Sequence, residues 1–185
     1  MNFKLNKKSV SNIIFVLAIA VLLYPPSREW FMRQIAFAPS VKDVEKSEKL
    51  SGYDWNLKGL NAESINFKEF DNKVIFVNFW ATWCPPCRAE LPMIQKLYAD
   101  YKDKVAFVFV TNEDWVKVEV FFNENDYDLP VYNSVSAPPN SFTETNSIPA
   151  SYLIDKNGNI LIAKTGSADW NSNKIRNLLD ELIAK

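Results

Sequence analysis

Two stretches of the chain are apolar almost without a break: 74–80, interrupted only by Asn78, and 105–110. Both are short and rich in β-branched and aromatic residues, the pattern of strands buried on both faces of a parallel sheet. Between them Leu91, Ile94, Leu97, Tyr98 and Tyr101 recur at spacings of three and four. That periodicity predicts an amphipathic helix over 85–102 connecting two parallel strands. A second helix fits 115–125, followed by a short strand at 129–132 and a Pro- and Ser-rich loop over 134–147. Strands at 151–155 and 159–165 flank the turn Lys156-Asn157-Gly158, and a last helix is expected over about 171–184. Upstream, 54–57 and 64–67 read as two short strands joined around Gly59. The order is a βαβ half followed by a ββα half, with a β-hairpin leading in.

The N-terminal fifth has a different character. Residues 1–9 carry Lys4, Lys7 and Lys8 and no acid, and the uncharged apolar run 13–24 follows. A basic flank before an apolar core is the layout of an export signal or signal anchor. The run is shorter than the roughly 20 residues of a usual membrane span. The small-residue site Ala36-Phe37-Ala38 lies too far beyond it for ordinary cleavage, so an uncleaved anchor over 1–24 is expected, with a cleaved signal as the alternative. Residues 25–49 are polar and mixed, with scattered Trp30, Phe31 and Phe37, and read as a linker or stalk before one domain over 50–185.

Composition narrows the chemistry. The 21 Lys and Arg nearly cancel the 22 Asp and Glu, which argues against nucleic acid as a partner. There is no histidine, so Ser-His-Asp and Cys-His activation are excluded. The two cysteines, Cys84 and Cys87, stand three apart and cannot brace a long loop. A zinc site would need two further Cys or His ligands that the chain lacks, and haem attachment would need His where Arg88 stands. Redox chemistry of the pair itself remains, with no metal and no cofactor beyond a Cys84–Cys87 disulfide expected.

The position of the pair supports that reading. Cys84 falls directly after a buried strand and at the start of a helix, where free N–H groups and the helix dipole favour a thiolate. It is the expected nucleophile. Cys87, one turn further in, is the expected resolving cysteine, and Pro85 and Pro86 stiffen the first turn at little cost. Trp83 forms an apolar lip beside Cys84 where a partner would dock, whereas Trp80 is expected in the core.

The segment from Phe79 to Pro92, with Trp83-Cys84-Pro85-Pro86-Cys87 at its centre and Glu90 one turn later, resembles the active-site segment of the TlpA/ResA-like branch of thioredoxin-fold proteins. The resemblance covers roughly 53–185. It implies a thioredoxin-like α/β fold: a central mixed sheet flanked by helices, an N-terminal β-hairpin, and a helix-strand insert between the two halves. It further implies a membrane-anchored thiol-disulfide oxidoreductase, the domain lying in the periplasm of a bacterial inner membrane. Such a protein would reduce disulfides of exported proteins, often in cytochrome c maturation, and draw electrons from a membrane donor. A monomer is expected. By the same resemblance Pro149 is the cis-proline facing the pair and Ile148 its substrate-facing neighbour. Asn78 stands where cytoplasmic thioredoxins carry a buried aspartate and cannot take up a proton. Glu90 then becomes the candidate acid and base, against the plainer reading of an exposed helix residue.

Two other functions compete. A peroxiredoxin-like thiol peroxidase would need a P-x-x-x-T-x-x-C spacing, which Thr82-Trp83-Cys84 does not provide. A redox-responsive binding module would use the pair only to switch docking.

Overall fold

The computed structural model describes residues 7–143 and 147–185. Lys4 and the tip of the expected 134–147 loop, 144–146, lie outside the described residues. From the N-terminus run α1 (Lys7–Leu23), α2 (Pro25–Gln34), β1 (Glu48–Lys49), β2 (Asn56–Gly59), β3 (Ile65–Asn66), β4 (Val74–Phe79), α3 (Pro85–Tyr101), β5 (Val105–Val110), α4 (Trp115–Asn125), β6 (Val131–Ser134), β7 (Ala150–Ile154), β8 (Asn159–Thr165) and α5 (Asn173–Ala184).

All eight strands form one sheet in the order β1-β8-β7-β4-β5-β6-β2-β3. The two apolar runs are central and parallel, in register from Val74 against Val105 to Phe79 against Val110. β7 pairs antiparallel with β4 on the other side, so the sheet is mixed and matches the expected thioredoxin-like arrangement. The β2–β3 hairpin adds to β6, the strand of the insert.

Alternation along β4 explains the two-sided burial. Val74, Phe76 and Trp80 face α3, α4 and α5, packing with Leu91, Phe122 and Leu179, while Ile75 and Val77 face Trp55, Phe67 and Tyr152. Because side chains alternate strictly, Asn78 shares the face of Phe76 and is aimed at α3, the helix that carries the cysteines. Pro92 sits inside α3, which nevertheless runs unbroken from Pro85 to Tyr101.

Residues 25–49, expected as a linker, carry structure of their own. α2 packs on α3, and Glu29 pairs with Arg88 at 3.0 Å. Further on, Lys42 N–H donates to Leu161 O at 2.8 Å, Asp169 N–H donates to Phe37 O, and β1 pairs with β8. The difference has a physical cause: a ten-residue helix with one docked side and scattered edge pairing leaves almost no periodic signal. Among the described residues no single helix is long and apolar enough to cross a membrane, but α1 and α2, bent by 87°, pass together by length and composition.

Candidate redox site

Cys84 is the residue that caps α3 at its N-terminus, and its sulfur is bonded to that of Cys87, with the Cα atoms 5.3 Å apart. The local sequence dictates this geometry. Pro85 and Pro86 begin the helix and have no N–H to offer, so the first free donor is the Cys87 N–H, which points at Cys84 Sγ at 3.3 Å. That donor and the helix dipole act on the one sulfur where negative charge would develop. Cys84 is 3% exposed and Cys87 fully buried, so the more hindered sulfur is the expected one. Trp83 is 69% exposed, and Trp80 is buried and stacked on Phe122, in the core as expected.

The Ile148–Pro149 peptide is cis. Pro149 is buried and Ile148 half-buried. Pro149 O accepts from Gly166 N–H at 2.8 Å, and Gly166 has a φ of 84°, a left-handed conformation that favours glycine. This turn ends β8 and throws the following residues back over α3. A cleft of about 410 Å³ reaches Trp83, the residue before Cys84, and is lined among others by Glu113, Phe142, Thr143 and Ile148.

Glu90 is 1% exposed, which overturns its reading as an exposed helix residue. Its Oε1 accepts from Asn78 Nδ2 at 2.9 Å, and its Oε2 accepts from Ala168 N–H at 3.2 Å and Trp170 Nε1 at 3.1 Å. Burial pushes its pKa up from the usual 4.5 to about 8; the three hydrogen bonds and the charge of Lys164 oppose the shift without cancelling it. At neutral pH the carboxyl is therefore largely protonated. Protonated Oε1 needs an acceptor, and Asn78 Oδ1 is buried with no partner. Rotating the Asn78 amide supplies it, with the Ser151 hydroxyl, now 2.8 Å from Nδ2, free to donate instead.

From the sequence, Asn78 is a departure that merely removes a proton acceptor. The structure makes it the partner of Glu90. It also brings in Ser151, Ala168 and Trp170, which no local pattern marks. A further contact fixes the loop ahead of the pair: Glu113 accepts from Thr82 N–H at 2.6 Å and from Thr82 Oγ1 at 2.8 Å. Glu113→Ala is expected to lower stability by about 1–2 kcal/mol, since two bonds to a charged acceptor are lost at a partly exposed site. Urea unfolding with an unchanged m-value would register this as a lower midpoint, and an unmoved midpoint would mean that water replaces the clamp fully.

The Redoxin family model matches residues 38–181. Over 165 residues the chain is 29% identical to the thiol-disulfide oxidoreductase ResA of Oceanobacillus iheyensis, covering 85% of this chain and 84% of that protein. It is 33% identical over 123 residues to the thioredoxin-like protein YneN of Bacillus subtilis, covering 64% and 72% respectively. Among solved structures, a thiol-disulfide isomerase from Corynebacterium glutamicum aligns with a TM-score of 0.58 at 18% identity, over 76% of this chain and 99% of that one, a likeness of fold.

Proposed function

The chain belongs to the Redoxin family and is a thiol-disulfide oxidoreductase; from that premise we propose that it reduces disulfides of exported proteins, with Cys84 attacking and Cys87 resolving. The observation that carries the reading is the pair at the start of α3 with a buried, proton-bearing carboxyl one turn beyond Cys87. In the reduced enzyme, Cys84 thiolate attacks one sulfur of the substrate disulfide. A mixed disulfide forms and the other substrate sulfur leaves as a thiolate. In the fraction of enzyme whose Glu90 is ionised, which grows as pH rises towards about 8, Cys87 then passes its proton to the Glu90 carboxylate and attacks Cys84 Sγ, releasing the second substrate sulfur as a thiolate. Two electrons have moved to the substrate, and the Cys84–Cys87 disulfide remains. A pKa of about 8 at Glu90 lies close to the ordinary thiol value near 8.5, so the proton can move either way at small cost.

Trp83 and Ile148 line the cleft, and an extended substrate segment would lie across them and the adjoining cis-Pro149, with Pro85 and Pro86 between the two cysteines as further substrate contacts. The basic flank and apolar α1 support an N-terminal anchor in the bacterial inner membrane, the domain lying on the outer side, where a membrane dithiol would restore the reduced form. Haem-attachment cysteine pairs of exported cytochromes are one substrate class that fits. The test is the equilibrium reduction potential of the detergent-solubilised chain, titrated with dithiothreitol and read by the fluorescence of Trp83 beside the pair. A value near or below about −250 mV is expected for a reductase, and one near about −120 mV would make the protein a disulfide-forming oxidant.

A further inference from the structure

Helix α2 has two faces, and the redox site accounts for only one. On the inner face Glu29 pairs with Arg88, whose guanidinium lies 5.4 Å over the ring of Phe121. Arg33 joins them around the Tyr127 hydroxyl, whose pKa is pushed up to about 12 by burial first and by Glu29 second, against the two arginines. The outer face presents Trp30 at 61% and Phe31 at 51% exposure beside Arg28, and the chain beyond the helix adds exposed Ile35 and Phe37. These residues run on directly from α1, whose apolar side chains are exposed as well.

The geometry of the two helices says what covers this surface. α1 has 17 residues, about 25 Å at the rise of an α-helix, against a hydrocarbon core of about 30 Å. Alone it is a short span, and a short span is held better when a second apolar element sits at the interface. α2 leaves α1 at 87°. With α1 along the bilayer normal, α2 lies in the membrane plane at headgroup depth, where Trp, Phe and Arg are favoured. We propose that α2 is an interfacial helix resting on the lipid bilayer through Trp30, Phe31, Ile35 and Phe37, while its inner face holds α3 through Glu29 and Arg88. The redox pair, whose second cysteine adjoins Arg88, is thereby fixed at the membrane surface. This rests on the anchor proposed above.

The test uses the full chain in phosphatidylcholine–phosphatidylglycerol vesicles carrying bromine either near the headgroup or near the acyl-chain end. Carbonate washing comes first: a chain that washes out loses its anchor and this inference with it. For a retained chain, bromine near the headgroup is expected to quench fluorescence in the wild type and in Trp83→Phe, and Trp30→Phe is expected to lose that component. Trp83→Phe separates the other strongly exposed indole from Trp30. Retention with identical quenching in wild type and Trp30→Phe would leave the anchor standing and overturn the interfacial helix.

Discussion

Cys84→Ser is expected to reduce turnover of a protein disulfide to the level of the buffer thiol, a loss on the order of 10⁴-fold or more, or about 5.5 kcal/mol of barrier. The substitution removes the nucleophile and little else. Serine is a preferred helix cap, and its hydroxyl can accept the Cys87 N–H that Cys84 Sγ accepts now. The disulfide that is lost joins residues only three apart, so it constrains the unfolded chain weakly. Thermal stability close to that of the reduced wild type would therefore separate chemistry from folding. Cys87→Ser carries the complementary expectation: Cys84 still attacks, but nothing resolves the product, and a mixed disulfide with the substrate accumulates, visible as a mass increase that dithiothreitol reverses. Capture by Cys84→Ser through Cys87, rather than the reverse, would exchange the two roles.

How much of this can be read from the chain varies with the range of the interaction. Strands 74–80 and 105–110 and the helix between them are local, strongly periodic and bounded by Pro and charge, and the structure places them within a residue or two of expectation. The cysteine pair is legible for the same reason, since its chemistry depends on a strand end, a helix start and two prolines that are contiguous. Glu90 marks the boundary of what a local pattern can give. Its helix position is readable, but its burial depends on Trp170, eighty residues away, and on the turn at Gly166 that returns the backbone to α3. The role of Asn78 is not legible because a polar residue in an apolar strand says that a partner exists without saying which. Helix α2 escapes the pattern because its docked face is built from Glu29 and Arg33, charges that look solvated until Arg88 and Tyr127 are placed opposite them. Among the described residues, then, the central strands and the helix between them follow from periodicity, whereas α2 and the electrostatics of the site follow from contacts between distant segments.

Glu90→Gln separates the proton-handling role from a packing role, because the amide can occupy the same place. Its carbonyl can accept from Ala168 N–H and Trp170 Nε1 as the carboxylate does, and its NH₂ can donate to Asn78 Oδ1 once that amide rotates to bring Oδ1 between Ser151 and residue 90. What is lost is titration. Turnover is expected to fall by about 10²-fold, the lower range for removing a general acid-base group, with the loss in the step in which Cys87 resolves the mixed disulfide. In the wild type that step is expected to accelerate as pH rises towards about 8, where Glu90 gives up its proton, and the variant is expected to lack this limb. Stability moves in the opposite sense. The carboxyl holds its proton to about pH 8 when folded but releases it near 4.5 when unfolded. Its contribution is complete below 4.5 and is lost as pH rises through 8, at a slope of up to about 1.4 kcal/mol per pH unit. The amide of the variant does not titrate, so its thermal midpoint is expected to gain on that of the wild type between pH 4.5 and 8 and to level off above. A variant with wild-type rate and an unchanged pH profile would reduce Glu90 to a buried structural acid and would require another proton acceptor for Cys87.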